Sequence, residues 1–123
     1  MRIFKSRWFQ RFARKEGIAD AILFEAVARA ERGQIDAKLG GEVIKQRIAR
    51  PGQGKSKGYR TIIFFRRGEK AFFIYGFAKS QRANISDDEE EGFKEAAKHV
   101  LALTEERLAE LLMRGDFTEV IGK

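Results

Sequence analysis

The chain has 123 residues, of which 43% are hydrophobic and 35% are charged, so it is long and apolar enough for one packed core. It contains no cysteine and one histidine. This composition excludes disulfides, thiolate metal sites and cysteine nucleophiles, and argues against a histidine-rich metal site or a Ser-His-Asp triad. We therefore expect no metal and no other cofactor, and the lack of cysteine fits a reducing cytoplasm.

The net charge of +7 is distributed unevenly along the chain. Residues 1–41 carry a net +4, residues 42–82 carry +9 and residues 83–123 carry −6. Such a dense basic block indicates a polyanionic partner, most often nucleic acid. No stretch reaches the roughly 20 apolar residues of a membrane helix, and residues 1–15 lack the apolar segment of a signal peptide. We expect a cytoplasmic protein with no membrane partner.

The N-terminal third predicts a short strand followed by two helices. Residues 3–4 fit a brief edge strand, and residues 6–17 have apolar side chains at helical spacing, with a glycine at the C-terminal end. Residues 20–33 predict a second helix with Asp20 as its N-cap and a glycine at its end. We expect residues 34–41 to form a loop.

The periodicity changes from 3.6 to 2 in the middle of the chain, which indicates strands. Residues 42–49 predict a strand with isoleucines on one face and basic residues on the other. Residues 50–58 predict a flexible turn rich in glycine and lysine. Residues 59–66 are apolar on both faces, as in a central strand, and a tight turn brings residues 70–77 back antiparallel.

The C-terminal part predicts a polar loop over residues 78–85 and then two helices. Ser86 and Glu89 form a capping box, and the acidic run beside them lies at the positive end of the helix dipole. Residues 104–113 predict a last helix with three leucines on one face. The order of elements predicts an α+β fold, a small antiparallel sheet packed by N-terminal and C-terminal helices, in a single domain over residues 1–123.

Basic residues concentrate on the central strand–turn–strand unit and in the loop after the next strand. Lys45 and Arg47 project from one sheet face because they lie two residues apart. Arginine can grip a phosphate through two N–H groups, so we expect a surface of up to eight cations that attracts a nucleic-acid backbone. The eight residues are Lys45, Arg47, Arg50, Lys55, Lys57, Arg60, Lys79 and Arg82.

A family resemblance is carried by the adjoining stretches IKQRIARPGQGKSKGYRTIIFF and AFFIYGFAKSQRANI, with GQIDAKLGGEVIK before them. They resemble the RelE-type toxins of bacterial toxin–antitoxin systems and, within the RelE/ParE superfamily, are most similar to the HigB-like branch. The resemblance covers residues 3–103. It implies a compact antiparallel sheet with N-terminal helices. It also implies a small basic protein that blocks translation by cleaving mRNA, in many members in the ribosomal A site, and that a partner antitoxin neutralises.

The resemblance also implies roles for individual residues. Lys45 and Arg47 match the basic pair on the strand before the turn. Arg60 matches the arginine that contacts the scissile phosphate in the family. Arg82 matches the arginine of the loop after the last long strand. The remaining basic residues near the turn, namely Arg50, Lys55 and Lys79, are then expected to bind the RNA.

The sequence departs from the better-known members at the proton-transfer group, which is often a tyrosine or histidine near the C-terminus. Here no tyrosine follows Tyr75, and His99 lies in the apolar pattern of the third helix, where we expect it to be buried. Trp8 and Tyr75 are expected to pack in the core. The identity of the general base is therefore open.

Cleavage through the 2′-OH needs a base for that hydroxyl, cations for the pentavalent phosphate and an acid for the 5′-oxygen. Arg60 and Arg82 suit the cationic role. Neighbouring like charges favour the neutral form of a lysine, so Lys45 or Lys57 is a candidate base or acid. Tyr59 is a candidate acid, with a core or stacking role as the alternative.

Three functions stay open at this point. The first is an mRNA interferase whose partners are mRNA, the ribosome and a cognate antitoxin. The second is a ParE-like gyrase inhibitor, because proteins of one fold can differ in function. The third is a non-catalytic nucleic-acid-binding module. The paired phenylalanines on adjacent strands resemble a base-stacking platform, but at least half of them must face the core. The density of cations favours the nuclease.

Overall fold

The computed structural model describes residues 1–50 and 54–121, with the backbone alone for residues 54–57. The strands of the described part are β1 (Arg2–Ser6), β2 (Ala37–Gly40), β3 (Val43–Arg50), β4 (Gly54–Arg66), β5 (Lys70–Ala78) and β6 (Phe117–Glu119). The helices of the same part are α1 (Arg7–Glu16), α2 (Asp20–Glu31), α3 (Asp87–Val100) and α4 (Glu105–Arg114). The predicted α+β class is confirmed. No helix among these residues is both long and apolar enough to cross a membrane.

The strands form one sheet in the order β2-β3-β4-β5-β1-β6. All neighbouring pairs are antiparallel except β1 and β5, which run parallel. The prediction that residues 3–4 lie at the sheet edge is wrong, because β6 pairs with the outer side of β1. β6 has only three residues and shows no long apolar alternation, which is why sequence patterns missed it.

Helices α1 and α2 cover one face of the sheet. Ser6 caps α1 by accepting a hydrogen bond from the Phe9 N–H. Gly17 ends the helix, as predicted, with a left-handed φ of 70°. Phe9 and Leu23 are fully buried against the strand residues of this face, such as Ile63. We call this the α1/α2 face.

Helices α3 and α4 cover the opposite face, which we call the α3 face. The predicted capping box is present, since Ser86 accepts from the Glu89 N–H while the Glu89 side chain accepts from the Ser86 N–H. The apolar pattern of this helix faces the sheet: Ala97 and Leu101 are buried and Phe93 packs beside them. His99 is different. Its side chain is 78% exposed, so the prediction of a buried histidine is wrong.

Asp20 does not cap α2. Ala19 holds the N-cap position and makes no side-chain cap, while Asp20 is the first helical residue. The Asp20 carboxylate accepts a hydrogen bond of 2.9 Å from the Lys5 Nζ instead, and the Lys5 side chain is buried. A buried ammonium needs a charged partner more than a helix terminus needs a cap, because desolvation of an unpaired charge is far costlier.

Two predicted loops contain strand. Residues 34–41 include β2, which pairs with β3 through an irregular register between Lys38 and Gly40. The predicted turn at residues 50–58 is shorter than expected, because Arg50 already pairs with Gly54 and β4 begins there. Residues 51–53 of that predicted turn lie outside the described residues.

Gly58 allows a bulge between Ile48 and Arg50 on the neighbouring strand. A Cβ at Gly58 would lie 2.0 Å from the Ile48 carbonyl oxygen and 2.9 Å from the Arg50 nitrogen, so any side chain collides with backbone. Gly92 on α3 is the opposite case, since a Cβ there would meet nothing within 4 Å. The first glycine is required by close packing and the second is not.

We predict that Gly58→Ala lowers the free energy of unfolding by about 1–3 kcal/mol, the usual cost of overpacking. Gly92→Ala is the matched control and should leave stability unchanged or raise it by up to about 1 kcal/mol, since alanine is the better helix former. Urea denaturation of both variants followed by circular dichroism measures the difference. Equal midpoints for the two variants would contradict the close approach at Gly58.

Candidate nucleic-acid interface

Four basic side chains meet on the α3 face, where β3, β4 and β5 approach the loop before α3. We call them the basic cluster, and they are Lys45, Arg47, Arg60 and Arg82. Strand alternation explains the first three. Lys45 and Arg47 are two residues apart on β3, and Arg47 stands directly opposite Arg60 on β4.

A bulge on β5 brings aromatic rings to the same face. Ile62 pairs with Tyr75 but Ile63 pairs with Phe73, so Ile74 is an extra residue in the strand. Beyond the bulge Phe77 stands opposite Arg60. The Arg82 guanidinium lies over the Phe77 ring, with its carbon 5.6 Å from the ring centre. Phe77 therefore separates two arginines of the basic cluster and contacts the second one.

Asn84 links the two ends of the basic cluster. Its Oδ1 accepts a 2.9 Å hydrogen bond from the Lys45 Nζ, and its backbone oxygen accepts one of 3.0 Å from the Arg82 Nε. The same Oδ1 accepts from the Ile85 N–H, which fixes the loop conformation. Asn84 belongs to the stretch AFFIYGFAKSQRANI that carries the family resemblance, but no role was predicted for it. Its position two residues after Arg82 was the sequence feature that could have indicated one.

Arg60 has an unused donor. Its NH1 atom is shielded from solvent and makes no hydrogen bond with any described residue. Desolvation lowers the pKa of the Arg60 guanidinium, the nearby charge of Arg47 lowers it further, and Asp36 opposes both effects. An arginine remains protonated after such a shift. A buried donor without a partner, beside a second positive charge, is a position that favours an anion.

Arg47 and Arg82 have carboxylate partners. Arg47 is exposed, and its NH2 lies 3.3 Å from the Asp36 Oδ1. Arg82 donates to both oxygens of Glu89, at 3.2 and 2.6 Å, and to the Tyr75 hydroxyl at 3.1 Å. The hydrogen bonds with Glu89 and Tyr75 raise the Arg82 pKa. The bond from Arg82, helped by the Ser86 N–H, lowers the Glu89 pKa to about 2.

Two predicted site residues lie elsewhere. Tyr59 projects to the α1/α2 face and is 1% exposed, and its hydroxyl donates to the Glu16 Oε1 at 2.8 Å. Burial raises the Tyr59 pKa, and the bond to Glu16 raises it further. The Arg50 guanidinium lies 5.6 Å from the centre of the Tyr59 ring. Neither residue joins the basic cluster, and the placement of Tyr59 does not support its candidate role as an acid.

The remaining predicted residues are only partly located. Lys79 is exposed in the loop after β5. Lys55 and Lys57 lie on β4, but their side chains are outside the described part of the chain. Trp8 is 40% exposed rather than buried in the core, so that prediction is wrong. Tyr75 is half-buried among aromatic rings, with its hydroxyl on Arg82.

The fold and the basic cluster together define a small α+β protein with a cationic surface suited to a polyanion. A family model described as the RelE toxin of the RelE/RelB toxin–antitoxin system matches residues 1–120. The chain therefore belongs to the RelE toxin family and is the toxin of a toxin–antitoxin pair, with a cognate antitoxin as partner. Neither a comparison with curated proteins nor one with solved structures gives a match. The HigB-like branch stays a prediction.

We predict that Glu89→Gln removes a pH-dependent contribution to stability. A carboxyl with a lowered pKa stabilises the folded state above its ordinary pKa of 4.5, and that contribution disappears as the pH falls from 4.5 to about 2. Glutamine keeps the capping hydrogen bond but has no charge. Thermal melts from pH 7 to 2 should therefore fall less steeply below pH 4.5 for the variant. Parallel curves would contradict the Arg82–Glu89 pair.

Proposed function

We propose that this toxin is an endoribonuclease that cleaves mRNA in the cytoplasm, on the ribosome, and that the basic cluster is its active site. The single observation that carries the proposal is Arg60, a guanidinium in the middle of the cluster with a shielded, unused N–H group. A phosphate reaches this N–H only after the Arg60 side chain turns toward solvent, and it then gains a charge-assisted hydrogen bond without displacing any described partner. Family membership supports the same activity.

The proposed reaction is attack of a ribose 2′-oxygen on the adjacent phosphorus. The 2′-O–P bond forms and the P–O5′ bond breaks, which leaves a 2′,3′-cyclic phosphate and a free 5′-hydroxyl. A base takes the proton from the 2′-OH, and an acid gives a proton to the departing 5′-oxygen. The extra negative charge on the pentavalent phosphate is stabilised by cations that are already in place.

The roles follow from the contacts of each side chain. Arg60 stabilises the pentavalent phosphate, and Arg47 opposite it adds a second positive charge. Arg82 is held in one orientation by Glu89 and Tyr75, so it is preorganised for an oxygen of the same phosphate.

Lys45 is the proton-transfer group in this proposal. It is the lysine of the basic cluster, and Asn84 orients its Nζ. Lys57 is the second candidate from the sequence. Tyr59 is not used, because its hydroxyl is on the other face and bonded to Glu16.

We predict that Arg60→Ala lowers the cleavage rate by about 100–1000-fold, the usual effect of removing one preorganised donor. Arg107→Ala is the matched control. Arg107 is an exposed arginine on α4 that pairs with Glu110, so its loss should not change the rate. Primer extension on cellular mRNAs after brief induction measures cleavage, and circular dichroism checks the fold. Full cleavage by a folded Arg60→Ala protein would overturn the site. Intact mRNA with inhibited gyrase in wild-type cells would instead support a ParE-like function.

A second pair of variants separates charge from proton transfer at Lys45. Lys45→Ala removes both and should be nearly as severe as Arg60→Ala. Lys45→Arg keeps the positive charge but does not release a proton at neutral pH, so it should be equally inactive if Lys45 transfers the proton. The same primer-extension assay measures both variants. Retained cleavage in Lys45→Arg would reduce Lys45 to an electrostatic contact and leave Lys57 as the candidate.

A further inference from the structure

A cavity of about 400 Å³ opens between α1 and the C-terminal half of β5, beside the basic cluster. This is the size range of small-molecule sites. Its wall is mainly aromatic and its rim is basic. Its lining includes Trp8, Phe12, Tyr75, Phe77, Lys15 and Arg82.

The topology of the sheet creates the cavity. β1 pairs with β5 from Arg2 to Lys5, and Lys5 is the residue opposite Phe73. The chain then turns into α1 after Ser6, whose hydroxyl donates a hydrogen bond to the Ile74 backbone oxygen. The last part of β5 continues past that point, so α1 crosses beside it. Gly76 permits the crossing, because a Cβ there would lie 2.7 Å from the Phe12 ring.

Trp8 is held in this cavity as an exposed stacking surface. Its ring stacks on Phe12 with the centres 5.2 Å apart and the planes 18° apart, and it lies 4.6 Å from the Tyr75 ring. A ring fixed by two others and still 40% exposed presents a planar apolar surface without further loss of side-chain freedom. Aromatic side chains of this kind stack unpaired bases in RNA-binding proteins.

Three cations and one carboxylate, Glu16, line the cavity, and Glu16 already accepts a hydrogen bond from Tyr59, so the balance of charge favours an anionic ligand. Arg82 lines the cavity and also belongs to the basic cluster, so the two sites share one guanidinium. Lys15 and Arg11, four residues apart on α1, are exposed on the same rim. A purely aliphatic ligand would make no use of the positive charge on the rim, and a bare phosphate would leave the aromatic wall unused. A nucleotide uses both.

We propose that this cavity, the stacking pocket, binds one unpaired nucleobase of the RNA substrate, next to the phosphate that lies on Arg60. The inference rests on the proposed function and adds where the base sits. Phe77 stands opposite Arg60 in the sheet and lines the stacking pocket, so the two subsites adjoin. Binding here selects single-stranded RNA, because a paired base has no exposed face to stack.

The fluorescence of Trp8 tests this directly, because Trp8 is the only tryptophan in the chain. The probe is a short 2′-O-methyl RNA, which lacks the attacking hydroxyl and is not cleaved. Its matched control has the same backbone with one abasic position. We expect saturable quenching by the intact oligonucleotide and loss of that quenching when the abasic position falls in the stacking pocket. Moving the abasic position along the oligonucleotide locates the bound base.

Variants give the size of the effect. Trp8→Ala should weaken binding about 5- to 150-fold, which corresponds to the 1–3 kcal/mol of one stacked base. Trp8→Phe should recover part of the loss. Phe24→Ala is the matched control, since Phe24 is an exposed aromatic on α2, outside the stacking pocket. Fluorescence anisotropy of a labelled 2′-O-methyl RNA measures all three variants.

The outcomes separate this inference from the proposed function. Equal affinity for intact and abasic oligonucleotides, with Trp8→Ala binding like the wild type, would overturn the stacking pocket even if mRNA is still cleaved. Base-dependent quenching in a protein that cleaves no mRNA would support the stacking pocket and overturn the nuclease. Quenching by an acidic peptide but not by RNA would overturn the inference in favour of a protein ligand.

Discussion

The register between β3, β4 and β5 is the constraint on which the site depends. It places Arg47, Arg60 and Phe77 in one row across three strands. A slip of one residue would move these side chains to the α1/α2 face and expose Ile48 and its neighbours. Two arginines directly opposite each other cost about 0.2–1 kcal/mol. Burying a single isoleucine contributes about 1.5–3 kcal/mol. The apolar residues therefore fix the register, and the repulsion is tolerated.

The protein pairs two of the four cations of the basic cluster with carboxylates and gives a third a neutral amide partner. Asp36 pairs with Arg47, Glu89 with Arg82, and Asn84 accepts from Lys45. Within the described chain, the Arg60 NH1 is the buried donor of the basic cluster that lacks a partner. In the proposed site, a phosphate would compete with Asp36 at Arg47 and with Glu89 at Arg82, whereas no described carboxylate bonds to Arg60. This arrangement orients three of the cations through contacts within the protein, while Arg60, between Arg47 and Phe77 in the sheet, keeps an unused donor. Local rules of stability are typically broken at a functional site in this way.

Sequence patterns were sufficient wherever the signal is local. Gly17 ends α1 and the capping box starts α3, because such helix ends are fixed by residues three or four apart. Features that depend on residues distant in the sequence were not predicted. These are the hydrogen bond from Lys5 to Asp20, which occupies the carboxylate expected to cap α2, and the pairing of β6 with β1. At the site, alternation correctly grouped Lys45 with Arg47. The same alternation separates Tyr59 from its neighbour Arg60, so the opposite placement of Tyr59 was readable from the sequence.

The bulge at Ile74 joins the basic cluster to the aromatic cavity. Phe72 packs on the α3 face and Phe73 on the α1/α2 face, so unbroken alternation would turn Phe77 and Tyr75 toward α1 and α2. The extra residue in β5 reverses the sheet face toward which each following side chain points. Phe77 then reaches Arg82, the Tyr75 hydroxyl accepts from it, and Gly76 faces α1, where only a glycine fits against Phe12. Bulges commonly redirect side chains beside active sites. Here the one inserted residue turns Phe77 and Tyr75 toward Arg82, which also lines the cavity. The basic cluster and the aromatic cavity therefore adjoin because β5 contains this bulge.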